Sequence, residues 1–444
     1  MIETTGSRRD AASALFNLPD FRVIDAVDDD AGGRRVLVES LAPPGCPSCG
    51  VVATRVHARR EQVVRDVPVA GPVRVVWAKR RWVCAEALCG RRTFWERAVQ
   101  VPSRARTTVR LKQTLVAAVI ASGRSARETA GAHRVSWWLV QAAMNAFAVL
   151  LPAVDDVPVR RLGVDEHRYR SVRWFREQDG SWRRFEPGGT SRSRGRMTTF
   201  VDLDTGTVLG VVDGRDSTGV GAWLKDREAA WRERVQVVAI VPRKREVPPP
   251  SAAFRKAISE HLPDTAVSVD AFHLVQLANQ ALTAVHQRRA REVHDRRGRA
   301  CDPAWANRRL LLRAADTLSA RAWTRLERVF AVDDPTGQLE WAWAIKEHVR
   351  MLLKTTSLDG AADAMQTLHA VANVAAMPET DRLLKTLEAW WPAIEVLIVT
   401  GVTNARTEAA NTSIKNIKRT GRGFRNENNY RTRILLTSAA KTAA

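Results

Sequence analysis

The sequence predicts a multidomain α/β protein whose central mixed sheet is interrupted by a helical insertion and preceded by two small domains. Three observations support this prediction. Short apolar runs alternate with helical stretches between Leu162 and Asp270. Two cysteine pairs flank β-rich sequence before residue 100, and residues 272–391 have the pattern of helices almost throughout. A chain of 444 residues has room for roughly two to four domains of ordinary size.

The charge balance indicates a polyanionic partner. The chain has 70 Lys and Arg against 48 Asp and Glu, a formal net charge of +22, and such an excess favours nucleic acid. No apolar run reaches the length of a membrane helix, about 18 residues or more. The polar start, MIETTGSRRD, lacks the apolar core of a signal peptide. We therefore expect a cytoplasmic, nucleoid-associated protein without a membrane partner.

Four of the five cysteines fall in two pairs that predict a zinc site. Cys46 and Cys49 form a C-x2-C knuckle, and Cys84 and Cys89 follow β-rich sequence at C-x4-C spacing, while Cys301 stands alone. In a reducing compartment such pairs favour tetrahedral thiolate ligation of Zn²⁺ over a disulfide framework. Free structural cysteines are the alternative. We expect residues 1–100 to be a zinc-ribbon domain that contacts DNA through its basic side chains.

Residues 101–153 have the pattern of a helix-turn-helix domain. Ser125 and Glu128 predict a capping box at the start of a short helix, and a turn and a second helix follow. A three-helix bundle that does not bind DNA would give the same pattern, but the charge and the neighbouring ribbon favour DNA binding. The candidates to face the major groove are Ser136, Trp137 and Gln141.

Residues 154–285 are predicted to form the first part of the central sheet domain. The predicted elements are strands at 162–165, 198–203 and 208–212, a helix at 219–232, a strand at 235–241, a helix at 252–261 and a strand at 266–270. Three strands, helix, strand, helix and strand is the succession of an RNase H-like fold. Two inserted stretches, 188–196 and 242–250, interrupt it.

Residues 286–399 are predicted to form a helical insertion domain. An arginine-rich patch occupies residues 288–299, and tryptophans recur along the helices. These tryptophans are more in keeping with core packing than with base stacking.

Two acidic positions stand out in this basic chain. Asp165 ends an apolar strand, as expected of a carboxylate at the tip of a buried strand, although a strand end followed by a solvated turn is the alternative. In the segment 400–444, helical spacing places on one face Glu408, Asn411, Lys415 and Lys418, with Arg419 adjoining. Such a face suits a metal-bound phosphodiester, with Glu408 on the metal and the basic side chains on phosphates. A merely solvated basic helix would explain the lysines but not the Asn-Glu-Asn pattern.

Four segments resemble the ISL3 family of bacterial insertion-sequence transposases. They are LGVDEHRYR at 162–170, VDLDTGTVLGVVDGRD at 201–216, VDAFHLV at 269–275 and TNARTEAANTSIKNIKRTGRGFRNENNY at 403–430. The resemblance covers most of the chain in the family's order, and the last motif is the most specific. It implies an RNase H-like catalytic core with a D-D-E set of carboxylates, completed by the C-terminal helix of 400–444.

The resemblance also implies a reaction and its residues. Asp165 and Glu408 would be catalytic and would bind Mg²⁺ or Mn²⁺. The substrate would be double-stranded DNA at the terminal inverted repeats of the element, cleaved and transferred by a homo-oligomer assembled on the DNA.

The chain departs from the family pattern at the second acidic position. In an RNase H-like sheet the first strand neighbours the fourth, so an acid is expected at about position 241. The sequence has Val241 there, followed by Pro-Arg-Lys-Arg, with no acid before Glu246. Asp270, which starts a D-x-F-H motif with His273, would lie about 10 Å from Asp165, two strand spacings away. Asp270 is a candidate third catalytic residue, and Glu246 is the other acid that could replace the missing one.

Two functions of different classes follow. The first is a metal-dependent transposase, and the alternative is a degenerate or repurposed transposase-derived protein that binds DNA without cutting it. Val241 is the position that discriminates between them. A zinc-ribbon transcription regulator is disfavoured by the length of chain after the DNA-binding region.

Overall fold

The computed structural model describes residues 10–29, 32–170, 173–185, 195–214, 217–241 and 252–442. The chain divides into two compact units. Unit 1 comprises the residues up to Leu151 together with Asn416–Thr442, and unit 2 comprises Pro152–Lys415. None of the described helices is both long enough and apolar enough to cross a membrane.

Unit 1 begins with a five-stranded sheet. Its elements are α1 (Ala11–Phe16), β1 (Phe21–Asp28), β2 (Arg34–Ser40), β3 (Arg55–Asp66), β4 (Val73–Val83) and β5 (Thr93–Trp95). The strand order is β1-β2-β4-β3 with β5 on β4, and all pairs are antiparallel except β2 with β4. Apolar side chains from alternate strand positions fill one side, where Phe21 and Val38 pack around the fully buried Trp77.

Three helices follow in unit 1 and form the predicted helix-turn-helix. They are α2 (Val109–Ile120), α3 (Ala126–Ala132) and α4 (Trp137–Ala148). Side chains of Thr108, Ser125 and Ser136 cap the three N-termini, and Ser125 with Glu128 completes the predicted capping box. The apolar faces of α2 and α4 meet in a buried cluster, which fixes the angle of α4 against the rest of the unit.

Unit 2 is built on a second five-stranded sheet. Its elements are β6 (Arg161–Arg168), β9 (Arg196–Asp202), β10 (Val208–Asp213), α5 (Ser217–Lys225), α6 (Ala229–Arg234), β11 (Val237–Ile240), α7 (Ala252–His261) and β12 (Ala266–Val269), with the hairpin strands β7 (Arg173–Arg176) and β8 (Trp182–Phe185) between β6 and β9. The order is β10-β9-β6-β11-β12, with β6, β11 and β12 parallel and β9 antiparallel to its neighbours. This is the predicted RNase H-like arrangement.

The structure corrects one predicted helix and adds a hairpin. The single helix expected at 219–232 is two helices, α5 and α6, because the Asp155 carboxylate accepts hydrogen bonds from Arg227 Nη1 at 2.8 Å and Glu228 N at 2.9 Å in the break. Asp155 itself lies in a 3₁₀ turn, Val154–Asp156. The hairpin of β7 and β8 was not predicted. Most of the stretch expected to be inserted at 188–196, and all of 242–250 with Glu246, lies outside the described residues.

The predicted helical region of unit 2 packs directly on its sheet. It contains α8 (Ala271–His294), α9 (Pro303–Ala306), α10 (Arg308–Leu311), a 3₁₀ turn at Ala315–Thr317, α11 (Ala320–Asp333), α12 (Gln338–Leu352), α13 (Leu358–Ala375), α14 (Pro378–Ala389) and α15 (Trp391–Thr400). One continuous apolar core extends from the sheet through these helices. Trp390 is fully buried, as expected of a core residue, whereas 40% of Trp341 is exposed. Three arginines of the patch at 288–299 are ion-paired, Arg288 with Glu379, Arg289 with Glu292 and Arg296 with Asp302.

The C-terminal segment 400–444, expected to belong to the core as one piece, is divided between the units. It forms α16 (Ala405–Thr420) and α17 (Glu427–Thr442), and the division falls after Lys415. Helix α17 packs on α4 and α2 of unit 1, with Leu436 in their apolar cluster and Tyr430 fully buried. Its apolar face therefore completes the helical part of unit 1, while the first half of α16 belongs to the sheet of unit 2.

Candidate active site and metal centres

Asp165 projects from the middle strand of the unit 2 sheet, just after the buried apolar run of β6. It follows Val164, which pairs with Ile240 at the end of β11. Its carboxylate accepts hydrogen bonds from Glu166 N and from Asn411 Nδ2, both at 2.7 Å. Burial raises the pKa of Asp165 to about 6, although these hydrogen bonds and the charge of His273 act in the opposite direction. The adjacent Glu166 is instead ion-paired with Arg196.

A chain of buried hydrogen bonds orients the Asn411 amide. Thr199 Oγ1 on β9 donates to Asn411 Oδ1 at 3.2 Å, and His167 Nδ1 lies 2.8 Å from the same hydroxyl. The Thr199 hydroxyl donates its single proton to Asn411, so it accepts a hydrogen bond from the N–H at His167 Nδ1. The amide NH₂ group of Asn411 is thereby directed at Asp165. The sequence singled out Asn411 but not Thr199 or His167, because only the register of β9 on β6 brings them together.

Gly163 allows α16 to lie directly on β6. A Cβ atom at this position would be 2.0 Å from Thr407 Oγ1, 2.7 Å from Leu203 Cδ2 and 2.8 Å from Asn404 Oδ1. Thr407 and Asn404 are both fully buried. Only glycine permits this approach, which places the first turn of α16 against the strand that carries Asp165.

The loop before α16 is held by the end of β12. Ser268 Oγ donates to Val402 O at 2.6 Å, and Asn404 N donates to Asp270 Oδ2 at 3.1 Å. Asp270 is 2% exposed and also caps α8 by accepting from His273 N at 3.3 Å. Burial would raise the pKa of Asp270, but the hydrogen bonds from His273 and Asn404 and the charge of His273 outweigh it, so the pKa lies below its usual range.

Glu408 meets Asp270 and His273 at this edge of the sheet. His273 Nδ1 lies 3.4 Å from Asp270 Oδ1 and 3.4 Å from Glu408 Oε1. Ligand atoms of the three residues all lie within 4.8 Å of one another. Among the described residues, His273 Nδ1 is a buried polar atom without a well-formed hydrogen bond. Two carboxylates facing a buried, unsatisfied nitrogen form a donor set that fits a divalent cation, and Mg²⁺ or Mn²⁺ would use the carboxylate oxygens.

The geometry changes the expectation for Asp270 and leaves that for Asp165 open. Strand spacing alone separates Asp270 from Asp165, but α16 crosses the sheet edge and brings Glu408 beside Asp270. Asp165 is not one of this three-residue group, and its approach to Glu408 within metal-sharing distance stays a prediction. Val241, the residue after β11, is half-buried and not acidic.

The four predicted zinc ligands converge at the end of the unit 1 sheet. Their sulfurs lie within 4.8 Å of one another, with Cys46 Sγ 4.0 Å from Cys89 Sγ and Cys49 Sγ 3.5 Å from Cys84 Sγ. Four thiolates about 2.3 Å from a tetrahedral Zn²⁺ would be about 3.8 Å apart, so the set fits zinc. Burial raises the pKa of Cys46, but backbone N–H groups of Ser48 and Cys49 outweigh it and lower the pKa to about 7. Cys301 is exposed, in a turn.

The three residues expected to face the major groove occupy different environments. The Ser136 hydroxyl accepts from Leu139 N as the cap of α4, and only 5% of Gln141 is exposed. The Gln141 amide donates to Asn145 at 2.9 Å and lines a cavity of about 550 Å³ in unit 1, so Gln141 does not face solvent. Trp137 is exposed, and the neighbouring Trp138, which was not predicted, is 75% exposed. The consecutive tryptophans at the start of α4 were the available signal.

The basic residues of α16 follow Glu408 along the helix. Lys415 and Arg419 are exposed and Lys418 is half-buried, whereas Ile414 and Ile417 are buried. The helix therefore has one apolar side for packing and one basic side. Phosphate binding by the basic side stays a prediction.

Comparisons with known protein families agree with these features. The transposase model of the ISL3 family, of the D-D-E type, matches residues 189–434, more than half of the chain. The zinc-finger model of the transposases IS204/IS1001/IS1096/IS1165 matches residues 42–94, which include all four predicted zinc ligands. No curated protein matches the chain. With its sheet order, its cysteine cluster and these two matches, the chain belongs to the ISL3 family of insertion-sequence transposases.

Proposed function

We propose that the protein binds the terminal inverted repeats of its own insertion sequence and cuts and joins their strands with the help of a divalent metal. The observation that carries this proposal is the docking of α16 on β6. It brings Glu408 beside Asp270 and His273 at the sheet edge to which Asp165 also belongs. Family membership supports the reaction class.

Asp165, Glu408 and Asp270 are the residues that would hold Mg²⁺ or Mn²⁺. A bound divalent ion supplies activation of a water or 3′-hydroxyl nucleophile and offsets the charge of the phosphate. Asp270 would take the place of the acid missing after β11, because its Oδ2 accepts one backbone hydrogen bond, from Asn404 N, and keeps a second lone pair. His273 orients both carboxylates from between them, and Asn411 holds Asp165.

Several basic and aromatic surfaces would hold the DNA. The zinc ribbon and the helix-turn-helix would bind the terminal repeat, with Trp137 and Trp138 exposed at the start of α4. Lys415, Lys418 and Arg419 continue along α16 from Glu408, and this order along one helix supports phosphate binding by them near the cut. A homo-oligomer would allow two element ends to be processed together.

Val241 favours a second candidate function. An apolar residue stands where a D-D-E enzyme of this topology is expected to have an acid, and the sequence that follows is basic. If Asp270 does not serve as a ligand, two carboxylates remain for the metal, and the protein binds element ends without cutting them.

A cleavage assay on the element's own ends distinguishes the two. The full chain is incubated with duplex terminal repeats and Mg²⁺ or Mn²⁺, and is compared with Asp165→Asn, Glu408→Gln and Asp270→Asn. The matched control is Asp226→Asn, an exposed acid between α5 and α6. We expect the wild type and the control to cut, and each of the other variants to lose about 100-fold or more in rate, as when one transition-state contact is removed.

The opposite results are equally clear. Binding of the ends without cutting, in either metal, would establish the DNA-binding alternative. Cutting that survives Asp270→Asn but not Glu408→Gln would remove Asp270 from the catalytic set.

A further inference from the structure

The β7–β8 hairpin exposes an unusual number of large aromatic side chains. Trp174 is 57% exposed, Trp182 63% and Phe175 45%. Among all described residues, few side chains of this size are as open to solvent. A two-stranded hairpin is marginally stable by itself in water, so exposed aromatic surface on it indicates a binding function.

The strand register places the two tryptophans on one face. Arg176 pairs with Trp182, and Trp174 is two residues from Arg176 on the same strand. Residues opposite each other, and residues two apart on a strand, share a face of the sheet. Trp174, Arg176 and Trp182 therefore form one aromatic and basic face, while Phe175 lies opposite Arg183 on the other.

The charge of the hairpin region favours a polyanion. Residues 168–185 contain six arginines and two carboxylates, Glu177 and Asp179. Glu177 is already paired with Arg183, at 2.5 Å. Arginines interleaved with exposed tryptophans are typical of surfaces that follow a phosphate backbone and stack on bases.

The hairpin is connected to the sheet edge of the candidate active site. It lies in the chain between Arg168 and Arg196, which pair at the end of β6 and the start of β9. Asp165 is three residues before Arg168, and Arg173 is eight residues after Asp165. Even a fully extended chain places the start of β7 within about 28 Å of Asp165.

We propose that the Trp174–Trp182 face of this hairpin stacks on unpaired DNA bases next to the cleavage point. Unpaired bases are favoured over duplex because a duplex keeps its base faces stacked internally and presents only edges in its grooves, which polar side chains recognise. Indole rings bind base faces, and the neighbouring arginines bind the phosphates between them. The inference rests on the proposed function, because the DNA strand that the hairpin would hold is the strand being cut.

The test uses the full chain and two DNA probes, a short oligothymidylate and the duplex terminal repeat. The variants are Trp174→Ala with Trp182→Ala, the same pair changed to Phe, and Trp341→Ala as a matched exposed tryptophan on α12. Each lost stack should weaken oligothymidylate binding by about 5- to 150-fold. The Phe pair should restore most of the affinity, and Trp341→Ala and duplex binding should stay unchanged.

A second measurement reports base stacking directly. A terminal repeat with 2-aminopurine at the bases flanking the cut reports stacking by its fluorescence, which the wild type should change and the Ala pair should not. Unchanged oligothymidylate affinity in the Ala pair overturns the inference. The inference is also overturned if the wild type binds duplex DNA but does not bind oligothymidylate. A change in oligomeric state with no change in DNA binding would overturn it as well and would identify the hairpin as a protein interface. A wild type that binds neither DNA would contradict the proposed function itself.

Discussion

Replacing Gly163 by Ala tests whether the contact between α16 and β6 builds the site. The added Cβ would be 2.0 Å from Thr407 Oγ1, far inside van der Waals contact, and 2.8 Å from Asn404 Oδ1. Both neighbours are fully buried, so the helix must move or the strand must shift. Overpacking of this kind costs about 1–3 kcal/mol. Because Glu408 is the next residue after Thr407, we expect Gly163→Ala to lower both thermal stability and metal-dependent cleavage.

The design includes a rescue and a control. Thr407→Ala removes the atom in the worst contact, so the double variant Gly163→Ala/Thr407→Ala should recover much of the stability lost in the single variant. Gly131→Ala on α3 is the matched control, because its Cβ would meet nothing within 4 Å. Calorimetry and the cleavage assay are measured on all four chains. Wild-type stability and cleavage in Gly163→Ala, or no recovery in the double variant, would refute the reasoning.

Three further predictions follow from the same geometry. The four-cysteine cluster should hold one Zn²⁺ per chain by metal analysis, and Cys49→Ser should lower that ratio and the thermal stability; a full complement of zinc in the variant would contradict the assignment. Lys415→Ala with Lys418→Ala should weaken binding of terminal DNA and reduce the slope of log affinity against log salt by the equivalent of about two phosphate contacts. Fluorescence anisotropy at several salt concentrations measures this slope, and an unchanged slope would mean that neither lysine binds a phosphate. Trp138→Ala should weaken terminal-repeat binding without lowering thermal stability, because 75% of this side chain is exposed, and unchanged affinity would remove the start of α4 from the interface.

The order of elements in unit 2 could be predicted because each has a local signature. The apolar runs of β6 and β11, the turn between β9 and β10 and the helical pattern of α7 are all visible in the chain itself. The hairpin was missed because its strands do not alternate apolar with polar residues as a half-buried strand does, and all four residues of β7 are exposed. The break between α5 and α6 depends on Asp155, far away in the sequence.

The candidate site could be predicted residue by residue but not as an arrangement. Asp165 and Glu408 stood out as acids in a basic chain, and Asp270 as the start of a motif. The grouping of Glu408 with Asp270 depends on how α16 lies on the sheet, which in turn depends on Gly163 and on buried amides. Counting strand spacings separates Asp270 from Asp165, but it does not account for α16, which brings Glu408 beside Asp270. Likewise, no local feature of α17 indicated that it would pack on α2 and α4.

The central claim is that Glu408 and Asp270 form part of a metal centre at this sheet edge. The most direct measurement is a Mn²⁺ titration of the zinc-loaded full chain, followed by electron paramagnetic resonance, with Glu408→Gln, Asp270→Asn and the control Asp226→Asn. Loss of a residue that binds the metal directly should lower Mn²⁺ affinity at least as much as loss of a residue that only orients a ligand, about 10- to 100-fold. We expect saturable binding in the wild type and Asp226→Asn, weakened by that factor in both site variants. Equal Mn²⁺ affinity in all four chains would contradict the claim.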